Sequence, residues 1–390
     1  MTYLVYLNHY DIRQVRAQYL YVMYQVLISN LNAHFMLNDD YIDSGNKSRV
    51  EVGWVENNYG ISYPQVIRKL RSENYTVMES PKNYFLRDRE QLIPSMLLRE
   101  TVNCYLPNQK RLIEEVLKQK EITAGITWVN NKCFKEVLES HGIPVIHHEL
   151  GALRNPYYLP TAYLDFSGVN GNTEFDNRFK EFLKVSNEVP ILTKKELIKV
   201  ISPVFYPKLW EVLENRNFTY NAGVGLQVEV DTNVLLFNEG LNWVDPILSA
   251  ESEVEGKILV RRHPVSGFAL TPIDPRIVVD DVKSTTPYEF ISKCRRIYCL
   301  NSSVGFEAML LGREARILGG NPFYSLCFMD NDMQLKALNF AIFGYLIHSD
   351  LMFDDDYYRF RIKKRGNEKV IYLDNMKRLI EASRNGGKVK

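Results

Sequence analysis

Ile297–Pro322, IYCLNSSVGFEAMLLGREARILGGNP, reads as strand, turn, helix and strand, and the rest of the chain is arranged around it. Ile297–Leu300 is a short apolar run rich in strand formers. Asn301, Ser302 and Ser303 then open a helix whose apolar face runs from Val304 to Leu311 and stops at Gly312. Ala315–Leu318 is apolar again and ends at Gly319, Gly320 and Pro322. Two hydroxyls beside the unpaired N–H groups of a helix's first turn suit a phosphate. The plainer use of such serines is to cap the helix. Glu307 stands four residues after Ser303, one too many for a capping box, which leaves its carboxylate for another task.

Working outward, 390 residues suggest about two domains. With 45% apolar and 24% charged residues, the composition is that of a soluble globular protein. A net charge of +1 and no long basic stripe argue against nucleic acid as partner. The five cysteines (Cys104, Cys133, Cys294, Cys299, Cys327) are scattered without a CxxC pair, which points to a reducing compartment and away from disulfides or structural zinc. The N-terminus lacks a basic region and a cleavage site, so no signal peptide is expected. Tyr19–Leu37 is too interrupted by polar residues for a spanning helix. A cytoplasmic protein is the expectation. Its 24 tyrosines and 19 phenylalanines suit sugar platforms and plain cores equally.

Strands and helices alternate along the chain, the doubly wound signature. Thr2–Leu7 is a strand leading to Asn8 and His9, with a helix expected from Ile12 and a further strand over Val50–Val55. Pro107–Lys120 reads as a helix, Ala124–Val129 as a strand, Cys133–Ser140 as a helix and Pro144–His147 as a strand. This last strand delivers His147, His148 and Glu149; without a second ligand cluster they make no metal site, and Glu149 suits a hydrogen bond to a ligand. Arg154–Gly168 reads as loop. In the second half, Val224–Val230 is an alternating strand before Asp231, and Lys257–Val260 a strand before Arg261, Arg262 and His263. If these and Ile297–Leu300 are parallel neighbours, Asp231, His263 and Ser302–Ser303 face one crevice. The expected division is 1–183 and 223–345 as two Rossmann-like domains, 184–222 as a helical linker and 346–390 as a helical, basic tail. The run Arg359, Arg361, Lys363, Lys364, Arg365 and Lys369 reads as a solvated face or as a contact with an anionic membrane.

Four blocks in order resemble a known family. Glu149-Leu150-Gly151 with Arg154 is similar to an E-x-G-x-x-R block, Gln227–Asp231 to QVExD, Arg262-His263-Pro264 to an HP motif, and LNSSVGFEAMLLG with GGNPFY to the serine-rich and PFY block of bacterial capsule-synthesis glycosyltransferases. The resemblance is to retaining β-Kdo transferases, above all the O-antigen chain-terminating type (glycosyltransferase family 99). It implies two Rossmann-like domains facing a cleft in a GT-B-like architecture, with an acceptor-side N-terminal and a donor-side C-terminal domain. It also implies CMP-β-Kdo as donor substrate, no catalytic metal, and a glycan acceptor, lipid-linked, met at the inner face of the membrane. Fusion to, or work beside, other glycosyltransferase domains would fit. Ser325-Leu326-Cys327 stands where the capsule enzymes carry Gly-Trp-Gly.

Under that resemblance Asp231 is the nucleophile, His263 assists departure of the phosphate, and Glu149 is a base toward the acceptor hydroxyl. Ser302 and Ser303 hold the phosphate, Glu307 a ribose hydroxyl, and Arg154, Arg261, Arg262 and Gln227 complete the donor site. Taken singly, each residue has a plainer use: Asp231 as a turn cap, His263-Pro264 as a strand end, Glu149 as a partner of Arg154. An inverting, sialyltransferase-like CMP-sugar enzyme and a non-catalytic glycan-binding module are the rival functions.

Overall fold

The computed structural model describes residues 1–7, 18–29, 31–38, 74–78, 107–128, 130–229, 231–264 and 274–388, with parts of 41–70, Ser266 and Leu270 besides. Asn8, His9, the helix opening at Ile12 and most of the strand expected over Val50–Val55 lie outside the described residues. Two compact units divide the chain. The first takes Met1–Glu149, Leu164–Val169 and Leu351–Lys363; the second takes Leu150–Tyr163, Asn170–Asp350 and Lys364–Lys390.

The first unit is built on β1 (Thr2–Tyr6), α1 (Gln18–Ile28), β2 (Asn32–Asn38), α2 (Tyr63–Lys69), β3 (Tyr75–Met78), α3 (Pro107–Gln119), β4 (Ala124–Thr127), α4 (Lys132–Ser140) and β5 (Val145–Leu150). Its strands pair in parallel in the order β3-β2-β1-β4-β5. Strands such as AGIT carry no alternation because both faces are covered, and all four of its residues are buried. Helices α3 and α4 close one face, with Ile113, Phe134 and Leu138 packed on Leu4, Tyr6 and Met36.

The second unit opens with β6 (Thr161–Asp165), which straddles the division, inside the stretch read above as loop; Pro156 and Pro160 had hidden it. Then come α5 (Phe175–Leu183), α6 (Lys194–Ile201), α7 (Tyr206–Glu214), β7 (Tyr220–Gly225), α8 (Thr232–Leu236), α9 (Asp245–Glu253), β8 (Ile258–Arg261), β9 (Ile277–Val279), α10 (Pro287–Lys293), β10 (Cys294–Cys299), α11 (Val304–Leu310), β11 (Glu314–Ile317), α12 (Asn331–Asn339), β12 (Leu346–His348) and α13 (Glu368–Arg384). Residues 184–222, expected as linker, hold α6 and α7 within this unit. The central sheet is parallel, in the order β9-β8-β7-β10-β11, while β12 pairs antiparallel with β6.

Both central sheets therefore have a Rossmann-like 3-2-1-4-5 order, in which the chain moves outward on one side and then restarts on the other. The two Rossmann-like α/β units expected from sequence are both present. The opening stretch folds as read: strand β10, helix α11, a left-handed Gly312 (φ 72°) that only a residue without Cβ adopts cheaply, then strand β11. Aromatic residues largely form core: the Phe306 and Phe323 rings meet at a tilt with centroids 4.4 Å apart, and Phe175, Phe179, Phe182, Phe340, Tyr345 and Tyr372 continue the cluster.

The basic tail is mostly consumed internally. Arg359 pairs with Asp355, Arg365 with Glu174 and Lys369 with Glu188, while Arg361 is buried against Tyr357. Among the described residues no helix is long and apolar enough to cross a membrane, and Cys133, Cys294, Cys299 and Cys327 are free thiols.

Candidate functional site

Strand β7 lies between β10 and β8, and the three end level. Tyr298, Val224 and Val260 are in register, followed by Cys299, Gly225 and Arg261. Adjacent strands stand about 4.8 Å apart, so the first residues beyond them, Leu226, Arg262 and Leu300, start from neighbouring places. Between β7 and β10 the direction of winding reverses, which is where open α/β sheets bind ligands. A hydrogen bond crosses that point: the Asn301 N–H donates to Gln227 Oε1 at 3.1 Å. Gly225 lets the next helix close in, since a Cβ there would stand 2.8 Å from Val304.

Beyond β10, Ser303 occupies the N-cap position of α11 but its side chain makes no capping bond. The Ser302 hydroxyl accepts only a long 3.4 Å contact from the Val304 N–H. Of the two readings of the serine pair, capping is thus the weaker. Beyond β7, Asp231 lies six residues past the strand rather than at its end. The alternating VGLQVEV stretch suggested a strand, but the ladder is formed earlier by YNAGVG, whose glycines pack against α10 and α11. Asp231 caps the five-residue α8, its Oδ1 accepting from the Asn233 N–H at 2.8 Å. Its turn-capping role is real, and occupies one oxygen. Beyond β8, Arg262 and His263 are both partly exposed, and the His263 carbonyl accepts from the Ser266 N–H at 3.0 Å.

Glu307, on the first turn of α11, meets two residues of the loop 151–160. Burial pushes its carboxyl up to about 7, opposed by the nearby Arg154 guanidinium and the Tyr158 hydroxyl. The loop is fixed by its own polar contacts: Arg154 Nε donates to the Gly151 carbonyl at 3.2 Å, Thr161 Oγ1 to the Leu153 carbonyl at 3.0 Å, and the Leu159 N–H to the Ile201 carbonyl at 2.7 Å. A carboxyl titrating near neutrality beside an exposed arginine is equipped to accept hydroxyl protons of a polar ligand.

Comparison with known proteins matches residues 5–174 to the glycosyltransferase 99 family N-terminal domain and residues 248–340 to the capsule polysaccharide biosynthesis protein family. Two separate stretches of the chain are thus similar to glycosyltransferase 99 and capsule-synthesis proteins. These two matches take in Glu149, Arg154, the HP motif and the serine block, and leave out Gln227–Asp231. Protein FixF of Sinorhizobium fredii (strain NBRC 101917 / NGR234) is 30% identical over 138 residues; the alignment covers 33% of this chain and 34% of FixF. Two solved structures of Thermosulfurimonas dismutans KpsC are similar at 16% identity and a TM-score of 0.40. The β-Kdo 2,7 transferase covers 63% of this chain and 87% of its own, and the β-Kdo 2,4 transferase 66% and 93%.

In the structure the motif residues separate into two groups. Gln227, Asp231, Arg262, His263, Ser302 and Ser303 follow the three adjacent strand ends, and Arg154 joins Glu307. Arg261 is a correction. Its guanidinium is buried in an ion pair with Asp280 and donates to Thr285 Oγ1 at 2.7 Å and the Thr285 carbonyl at 2.9 Å. The strand's alternation turns this side chain into the unit, where the sequence reading had placed it on the donor. Glu149 belongs to the first unit, as the penultimate residue of β5. Its neighbours are structural: burial lowers His147 to about 3, and the His148 ring bonds the Tyr358 hydroxyl at 2.7 Å. Among the described residues no group of His, Cys, Asp and Glu could hold a metal ion. Tyr158 and Asn321 drew no reading from the sequence, and Asn301 was read only as a helix-entry residue, although each lies inside or beside a recognised motif.

Proposed function

We propose that this protein is a retaining β-Kdo transferase that moves Kdo from CMP-β-Kdo to a glycan acceptor of an O-antigen or capsule, lipid-linked and met at the cytoplasmic face of the membrane. One observation carries the reading: the serine pair, Asp231 and His263 follow three adjacent, level strand ends, with the Ser303 hydroxyl not spent on capping. Kdo's anomeric carbon bears a carboxylate, and loss of CMP builds positive character on the ring. Asp231 attacks that carbon opposite the phosphate; the C–O bond to phosphate breaks and CMP leaves with its electron pair. An acceptor hydroxyl then displaces Asp231, its proton passing to a base, and two inversions return the β configuration.

Ser302 and Ser303 hold the phosphate, and His263 stabilises the charge it gains. Glu307 accepts from a ribose hydroxyl, while Arg154 and Arg262 serve the carboxylate and phosphate. Glu149 enters on its motif alone, as the base toward the acceptor. The mechanism requires no metal.

Product NMR with CMP-Kdo and a panel of synthetic acceptors tests this. A β-linked product with release of CMP is expected. An α-linked product would mean a single displacement with Asp231 as base, and CMP that is bound but never released would mean a glycan-binding module.

A further inference from the structure

We infer that Asn301 and the Gly319-Gly320-Asn321 loop act as a clamp that positions the short helix α8, and with it Asp231; this rests on the reading of Asp231 as nucleophile. A five-residue helix is unfavourable in isolation, because nucleation costs more than its few hydrogen bonds return. Helix α8 is instead gripped from outside. Asn301 Nδ2 donates to the Asn233 carbonyl at 2.7 Å and reaches the Phe237 carbonyl at 3.4 Å. Two carbonyls on one side fix which way this buried amide points.

The Gly320 N–H donates to the same Phe237 carbonyl at 2.7 Å, and Asn170 Nδ2 donates to Asn233 Oδ1. Asn321 closes the ring: its Nδ2 donates to the Asn301 carbonyl at 2.9 Å, and its Oδ1 accepts from the Phe323 N–H at 2.8 Å. The glycines are required by proximity. A Cβ on Gly319 would stand 2.5 Å from the Phe237 carbonyl oxygen, and one on Gly320 would stand 3.1 Å from Gly171 Cα. With Gln227 bonded to the Asn301 backbone, one asparagine thus ties the QVExD segment, the serine pair and the GGN loop together. Displacing a reacting group by about 1 Å costs on the order of a hundredfold in rate.

The test uses the whole chain with two variants that loosen the clamp at different members, Asn301→Ala and Gly319→Ala, and Asn321→Ala as a milder third. Three quantities are read: CMP affinity by calorimetry, CMP release from CMP-Kdo with water as acceptor, and hydrogen exchange of residues 231–237. For the first two variants we expect CMP affinity within about threefold of the parent, release at least tenfold slower, and exchange at least tenfold faster. Asn321→Ala should move the same way by less. Parent-like release and exchange in Asn301→Ala and Asn321→Ala would overturn the clamp, as would a loss of release fully matched by lost CMP affinity. The underlying reading is checked separately by Asp231→Ala. If that variant releases CMP like the parent, Asp231 is not the nucleophile, while the exchange data still report on the clamp.

Discussion

The two central sheets share one strand order, and the helix that follows the fourth strand of that order sits at the same topological place in each. The two helices begin differently. In the first unit, after β4, Asn131 caps α4, its Oδ1 accepting from the Phe134 N–H at 2.9 Å and from Gln109 Nε2 at 3.3 Å. In the second, after β10, Ser303 sits at the cap position of α11 without a side-chain bond. The first arrangement commits the capping side chain to bonds within the unit. In the second no capping bond commits the serine hydroxyl. Identical topology thus supports a closed helix start in one unit and a candidate phosphate site in the other, and the difference lies in side chains.

The contrast can be broken or sharpened by substitution. Asp231→Ala should have the largest effect, lowering CMP release from CMP-Kdo by about a thousandfold or more while CMP still binds by calorimetry. Arg261→Met strands the buried Asp280 carboxylate, so chemical denaturation should show about 3 kcal/mol of lost stability, with CMP affinity of the folded protein little changed. Ser302→Ala with Ser303→Ala should weaken CMP binding by about 2 kcal/mol while leaving the melting temperature near that of the parent. The opposite is expected of Asn131→Ala: a stability loss of about 1 kcal/mol and no change in CMP affinity.

Glu307 supplies a pH arm to the same comparison. Its folded value of about 7 lies above its ordinary 4.5, so the folded state binds the extra proton between these values. The resulting stability is fully present below pH 4.5 and is lost as pH rises through about 7. Thermal melts of the parent should therefore show a downward slope over that window that Glu307→Gln removes. CMP affinity should rise over the same window, because the ionised carboxylate is the better acceptor for a ribose hydroxyl.

Much of the second unit was legible in its sequence because the signals were local. Gly312 ends α11 where its spacing said it would. Strand β7 was misplaced because YNAGVG lacks the alternation of a half-buried strand; its glycines are there to admit Phe290 and Val304. Arg261 was misassigned because proximity to a motif says nothing about which face of a strand a side chain takes. The Asn301 network joins Asn301 to positions between 20 and 74 residues away in sequence, a long-range pairing that no local pattern records.

The central claim is that Asp231 carries the sugar between two displacements. Mass spectrometry of the protein incubated with CMP-Kdo and no acceptor, followed by peptide mapping, tests it most directly. The account predicts a Kdo adduct on the peptide containing Asp231, absent from Asp231→Ala. Turnover with no adduct, even in a Glu149→Gln variant slowed in the second displacement, would contradict it.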